Sequence, residues 1–324
     1  MKNITNNSGI PLALAVMFVT DTYDYSEEKD TISVTSLLDS VRQIILSKRS
    51  LGNGTSDVQD YIASAIGTAI HSQLEQAWLD PYNALESLGY PKKMWEQVVI
   101  NPSDLDCKVW KEYNKSYIPI YVEQRSIKQI AGWNVSGKFD LVIDGRLNDL
   151  KNRKVWAYLN SSNDKKDILQ ASIYRWLNQD KITEEDFSIL WLFTDWNSLE
   201  ALKNPLYPKQ RWLEQKFKLL NIQETEQYLI NKLGLINQYI NSPESELPLC
   251  DSNELWMGKS TFKYYKALGQ SRSTKNFDNA FDAHKETAKG GYVHEAKGKA
   301  VRCGYCSASS VCSQYQDLLS KGLI

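Results

Sequence analysis

The dipeptide Asp144-Gly145 constrains this chain more than any other pair of residues. Strand-like runs flank it, Ser136–Ile143 before and Arg146–Lys151 after. Asp-Gly between two such runs is the strongest short signal for a β-hairpin with a two-residue turn. That turn pairs Ile143 with Arg146 and carries the pairing outward, so Asp140 is expected directly opposite Asp149, with Cβ atoms about 4.5–5.5 Å apart. Lys151 lies two residues beyond Asp149 and shares its face. Like charges set opposite each other destabilise a hairpin. Two aspartates placed there therefore call for a cation between them, and paired carboxylates with a carbonyl and water suit Mg²⁺ or Mn²⁺. The lysine is then placed to stabilise charge on a phosphate or to orient a water. A three-residue turn would slip the register and undo the pairing. Taken alone, the same residues also fit an ordinary solvated hairpin.

The surrounding periodicity gives an α/β order. Helices are expected over 30–48, over 56–78 (where Val58, Ile62, Ile66, Ile70, Leu74 and Trp78 recur every four residues), over 164–178 and over 222–241. Tyr117–Ile130, Lys154–Leu159 and Phe187–Thr194 have strand character. The apolar run Ile10–Val19 is too short to span a bilayer. It also lacks the flanks and cleavage pattern of a signal peptide, so it reads as a buried helix. Ser242-Pro243 and Pro248 mark a break. Three segments follow: an N-terminal helical region (1–55), a core (56–245) and a C-terminal lobe (246–324) that is basic and contains cysteines.

Several isolated residues gain meaning beside the hairpin. His71 sits on the second expected helix with Glu75 at i+4. Gln170 and Tyr174 share a face of the helix after the hairpin. Glu123 precedes the hairpin in a strand-like run. Each has a bland reading as helix surface or core edge. Together, His71, Gly137-Lys138-Phe139-Asp140, Asp149-Leu150-Lys151 and Gln170-x3-Tyr174 resemble the RecB-like branch of the PD-(D/E)XK nucleases in order and spacing. The resemblance covers about residues 60 to 195. It implies a restriction-endonuclease-like fold, a mixed sheet flanked by helices. It also implies a metal held by His71, Asp140, Asp149 and the Leu150 carbonyl, and Lys151 as the catalytic cation. Gln170 and Tyr174 would support the site and contact DNA. The family's first acidic motif falls on Glu123 or on Glu75.

The five cysteines are odd in number and too few for a disulfide scaffold. Cys303-x2-Cys306-x5-Cys312 offers three soft ligands, and a tetrahedral or four-iron site takes four thiolates. Cys250 and Cys107 are the possible fourths. Zinc is the general reading of such a pair of spacings, and structural thiols are the plainer one. Spacing of this kind after a nuclease core resembles the iron–sulfur nucleases, among them the AddAB nuclease subunit and CRISPR-associated exonucleases of RecB type. The chain departs from them in having no cysteine before His71. Leu247-Pro248-Leu249-Cys250 with Trp256 and Lys259, Phe193-Thr194-Asp195-Trp196 and Ile32-Ser33-Val34-Thr35 resemble phage-encoded RecB-like nucleases. That likeness implies Cys250, Cys303, Cys306 and Cys312 around a [4Fe-4S] cluster, with Zn²⁺ as the alternative, pinning the lobe as a cysteine-bound unit.

Composition adds a boundary and a hint. With 42% hydrophobic and 24% charged residues the chain is an ordinary globular one, not a disordered, collagen-like or coiled-coil sequence. A net charge of -1 excludes a histone-like protein but can hide a local basic patch. Between Lys259 and Arg302 ten basic residues meet four acidic ones, interleaved with Phe262, Tyr264, Tyr265, Phe277, Phe281 and Tyr292. This mixture suits contact with single-stranded DNA or DNA ends, and also fits a solvated helix. His284 and His294 read as surface residues. The expectation is a cytoplasmic, metal-dependent DNA exonuclease with no membrane partner. The rivals are a non-catalytic DNA-binding protein on a nuclease fold and an endonuclease.

Overall fold

The structure, a computed structural model, describes residues 3–20, 30–50, 55–112 and 116–324. The chain is α/β. Its strands are β1 (Asn3–Thr5), β2 (Thr31–Ser33), β3 (Thr55–Asp57), β4 (Val98–Ile100), β5 (Ile118–Val122), β6 (Arg125–Ile130), β7 (Trp133–Lys138), β8 (Leu141–Ile143), β9 (Arg146–Arg153), β10 (Asp186–Phe193), β11 (Trp212–Lys218), β12 (Thr261–Tyr265), β13 (Lys275–Phe277) and β14 (Tyr292–Ala296). The helices that matter here are α1 (Leu12–Val19), α2 (Val41–Arg49), α3 (Ile62–Leu79), α4 (Val155–Leu159), α5 (Asp164–Leu177), α6 (Ile222–Tyr239), α7 (Ala280–Glu286) and α8 (Ser313–Ser320). No helix among the described residues is long and apolar enough to cross a membrane.

Two compact units divide the chain. One, the sheet unit, holds residues 3–38 and 55–234; the other, the cysteine unit, holds 39–54 and 235–324. The expected helical region 1–55 is therefore not a unit of its own. The expected single helix over 30–48 is also replaced by β2, a short helix Val34–Leu37, and α2. Two serines cause the split. Ser33 Oγ accepts the Ser36 N–H and Ser40 Oγ accepts the Gln43 N–H, and each N-cap starts its own helix.

In the sheet unit, a six-stranded mixed sheet runs β11-β10-β9-β8-β5-β4. A three-stranded sheet, β2-β7-β6, and a parallel pair, β1-β3, complete it. The hairpin forms in the expected register: Ile143 faces Arg146, Val142 faces Leu147 and Leu141 faces Asn148. Asp144 (φ +47°) and Gly145 (φ +81°) are both left-handed, as a type I′ turn requires. A Cβ at position 145 would also collide with the Thr183 hydroxyl. β9 and β10 pair in parallel inside the sheet, and one face of β10 is fully covered, with Phe187, Ile189, Trp191 and Phe193 at 2% exposure or less.

Four expected elements differ. The run Ser136–Ile143 is not one strand: it breaks at Phe139-Asp140, where the chain leaves the three-stranded sheet for the six-stranded one. Tyr117–Ile130 is two strands, β5 and β6, separated by Glu123 at φ +48°. Lys154–Leu159 is helix α4, not a strand. The Val155 N–H donates to Asp195 Oδ1 at 2.8 Å, and Trp156 is 64% exposed. A short apolar run does not declare its period. Ile10–Val19 is helical in α1, but of its residues only Ala15 is buried, and Leu12, Leu14, Val16 and Met17 are exposed.

Candidate active site

Two chain corners build the site. β5 ends at Val122, and the left-handed Glu123 donates its N–H to the Asp140 carbonyl at 2.9 Å. The second corner, Phe139-Asp140, is held from the same side, since the Phe139 N–H donates to the Gln124 carbonyl. Buried Phe139 anchors that corner in the core. A non-glycine residue at positive φ costs conformational energy and persists where the surroundings fix it. Here the outcome is two carboxylates from two strand ends brought to one point.

His71 reaches that point from α3. Its Nδ1 lies 3.2 Å from Asp140 Oδ1. The other carboxylate oxygen, Asp140 Oδ2, accepts the Leu150 N–H at 2.8 Å. One ligand atom each from His71, Glu123 and Asp140 lies within 4.8 Å of the others. Glu123 also pairs with Lys138 Nζ at 2.5 Å. Glu75 is not in this group, so of the two candidates for the first acidic position the structure brings in Glu123. The hydrogen bond to Asp140 pushes the His71 imidazole up, against burial. Burial pushes the Glu123 carboxyl up, against Lys138.

Asp149, Lys151 and Arg153 alternate along β9 onto one face, opposite α5. Asp149 is 5% exposed. Lys151 Nζ lies 2.7 Å from Asp149 Oδ2 and donates to Gln170 Oε1 at 3.1 Å. Gln170 Nε2 in turn donates to the Tyr174 hydroxyl at 2.9 Å. Burial pushes the Asp149 carboxyl up to about 6, opposed by Lys151 and reinforced by Asp140. Burial acts to lower the Lys151 ammonium, but the charges of Asp149, Asp167 and Asp140 outweigh it and leave it raised.

The expected facing pair, Asp140 and Asp149, is realised differently. The ladder ends at Leu141–Asn148, and Asp140 stands in the corner beyond it. Asp140 joins His71 and Glu123, while Asp149 joins Lys151. Leu150 contributes its N–H to Asp140. The sequence reading passed over the Arg153–Asp167 pair, a two-pronged contact at 2.6 and 2.8 Å. Its signal was present: Arg153 is two residues past Lys151 on the same strand face, and Asp167 is three before Gln170 on the same helix face. The two carboxylates suit Mg²⁺ or Mn²⁺ by donor type, and the imidazole is the softer donor of the three.

The cysteine unit holds a second cluster. Cys250, Cys303, Cys306 and Cys312 line one cavity of about 30 Å³. That exceeds the ~10–15 Å³ one water needs. Cys107 belongs to the sheet unit, 3.7 Å from the Tyr121 hydroxyl, and is not the fourth member. Arg42 of α2, 2% exposed, organises the pocket. Its Nε donates to Cys312 Sγ at 3.2 Å, Nη1 to the Leu247 carbonyl at 3.1 Å and Nη2 to Ser313 Oγ at 3.0 Å, and it pairs with Glu244. Cys250 is clasped both ways by Gln314: its N–H donates to Oε1 and its carbonyl accepts from Nε2, each at 2.9 Å. Burial pushes the Cys303 thiol up to about 11 and raises Cys250 and Cys306 as well. Such thiols stay protonated until a metal displaces the proton. Among the described residues, no three of these sulfurs lie within 4.8 Å of one another.

No family model matches the chain, and no curated protein does. A solved structure described as "Crystal structure of SSO0001" is similar at 14% identity and a TM-score of 0.36, over 71% of this chain and 90% of that one. A likeness at that level carries no argument about function.

Proposed function

We propose that this chain is a metal-dependent deoxyribonuclease of the RecB-like PD-(D/E)XK kind, acting on DNA ends. The observation that carries the reading is the meeting of His71, Glu123 and Asp140 beside the buried line Asp149, Lys151, Gln170 and Tyr174. Mg²⁺ or Mn²⁺ bound by the first three would neutralise phosphate charge and lower the pKa of a water. Asp149 keeps Lys151 charged in a buried place. Gln170, fixed by the Tyr174 hydroxyl, sets where the ammonium points. Lys151 then stabilises charge developing on the phosphate and orients the attacking water. Asp140 holds His71 by Nδ1, and the Leu150 N–H holds Asp140.

The cysteine pocket supports a [4Fe-4S] cluster on Cys250, Cys303, Cys306 and Cys312. A tetrahedral zinc site with Zn–S near 2.3 Å needs its thiolates roughly 3.8 Å apart, closer than any three stand here. The [4Fe-4S] reading rests on the Cys303-x2-Cys306-x5-Cys312 spacing with Cys250 at the same pocket. Iron and acid-labile sulfide analysis of protein purified without oxygen tests it. About four of each per chain is expected, and one zinc without sulfide overturns it.

Digestion of end-labelled linear DNA with Mg²⁺, Mn²⁺ or chelator, beside Lys151→Ala, tests the enzyme. Metal-dependent loss of label in the wild type, reduced about 10³-fold in the variant, is expected, with circular single-stranded DNA left whole. Folded wild type that cleaves nothing overturns the nuclease. Cleaved circles overturn the preference for ends and favour an endonuclease.

A further inference from the structure

The segment from Thr261 to Ala296 folds as a small sheet with one helix across it. β12 lies between β13 and β14 and is antiparallel to both. Side chains alternate along a strand, and directly paired residues share a face. Tyr264 pairs with Lys275 and Val293, and Phe262 pairs with Phe277 and Glu295, so these six point one way. That way is towards α7. Tyr264 is 3% exposed, its hydroxyl donates to the Gly290 carbonyl at 2.7 Å, and Lys275 reaches Glu286 of α7 at 2.8 Å. The opposite face carries Thr261, Lys263, Tyr265, Asn276, Tyr292 and His294. Of the aromatics expected to meet bases, Phe262, Tyr264 and Phe277 are thus turned to the helix, while Tyr265 and Tyr292 are not.

Charge is sorted between the two faces. On the α7 side, Lys275 and Lys289 both pair with Glu286, and Lys285 pairs with Asp282. The open face holds no carboxylate, and among the described residues Lys263 and His294 have no acidic partner there. Beside them the Tyr265 and Tyr292 rings stack in parallel, centroids 5.1 Å apart and planes at 11°. Both rings are half-buried, and Asn276 and His294 are exposed. A face with one lysine, one histidine and no acid, and with a flat aromatic pair at one end, matches a polyanion whose bases have free π-faces. A duplex stacks its bases on one another and offers none to a tyrosine pair.

We propose that this open sheet face is a binding platform for single-stranded DNA, with Tyr265 and Tyr292 stacking on a base and Lys263 and His294 taking phosphates. The idea rests on DNA being the substrate, but it concerns a surface in the cysteine unit and needs no metal at the carboxylate site. The test is fluorescence anisotropy of labelled oligo-dT, and of a duplex of equal length, with the full chain in metal-free buffer. Lys263→Glu on the open face and Lys285→Glu on the helix side are compared at several salt concentrations.

Lys263→Glu is expected to weaken oligo-dT binding at least about tenfold and to reduce the salt dependence by about one counterion. Lys285→Glu stays within about twofold of wild type. Tyr292→Leu, which keeps an apolar side chain but removes the ring, weakens oligo-dT and not the duplex. Equal losses in both lysine variants, no loss in Lys263→Glu, or wild type that prefers the duplex overturns the platform. Failure of the nuclease reading appears elsewhere, as absent cleavage with oligo-dT still bound.

Discussion

The two sites of this molecule are each built on a buried cation, and they use it in opposite ways. In the sheet unit Lys151 faces side-chain oxygens, the Asp149 carboxylate at 2.7 Å and the Gln170 amide oxygen at 3.1 Å. Its partners lie on β9 and α5, elements that pack whether or not the lysine is there. In the cysteine unit Arg42 bonds to Cys312, the Leu247 carbonyl, Ser313 and Glu244. Those partners lie outside any sheet and at the start of α8; Ser313 and Glu244 bond each other directly, and the guanidinium links that pair to Cys312 and the Leu247 carbonyl. A sheet supplies rigidity to the carboxylate site, which leaves the cation free for the proposed chemistry. The cysteine pocket lacks a sheet beneath its ligands, so the cation serves structure.

The sharpest way to break this contrast is to remove the structural cation. Arg42→Gln takes a donor from the Leu247 carbonyl and the charge partner from Glu244, which keeps the Ser313 N–H and hydroxyl, at a cost of about 3 kcal/mol. Thermal unfolding should shift down by several degrees, and any cluster should be lost faster to chelator. An unchanged melting temperature would mean that Arg42 is not the organiser of the pocket.

A smaller effect sharpens the same contrast through pH. Burial raises Asp149 to about 6 in the folded chain, above its ordinary value of 3.8, so between those values the folded state holds a proton that the unfolded state has released. Stability from this group is full below about 4 and lost as pH rises through 6. His71, also raised, acts in the same direction above its ordinary value of 6.5. Metal-free protein should therefore lose stability from pH 4 towards neutrality, and Asp149→Asn should flatten the lower part of that slope. Denaturant midpoints measured across this range check it. A slope that survives Asp149→Asn assigns the proton to another group.

Much of the carboxylate site was legible, because local rules govern it. Asp144-Gly145 dictates its turn, the turn dictates the register, and the 3.6-residue period puts Gln170 and Tyr174 on one face. The illegible parts depend on tertiary structure. Nothing local says that the strand run must turn at Phe139-Asp140, since that corner exists only because two sheets meet there. Glu123 competed with Glu75 because i+4 proximity to His71 is visible in a sequence, whereas a left-handed residue after Val122 is not. Lys154–Leu159 misled for lack of length, and α1 because an apolar run without a polar face does not say what covers it. The second serine cap, Ser40, could have been read and would have divided the N-terminal helix correctly.

The most direct measurement is a Mn²⁺ titration by electron paramagnetic resonance of the wild type, Glu123→Gln and Glu75→Gln at pH 8, where Asp149 is ionised. A bound ion is expected in the wild type, with affinity lowered at least about tenfold in Glu123→Gln and unchanged in Glu75→Gln. Unaltered Mn²⁺ binding in Glu123→Gln would contradict the assignment of His71, Glu123 and Asp140 as one metal site.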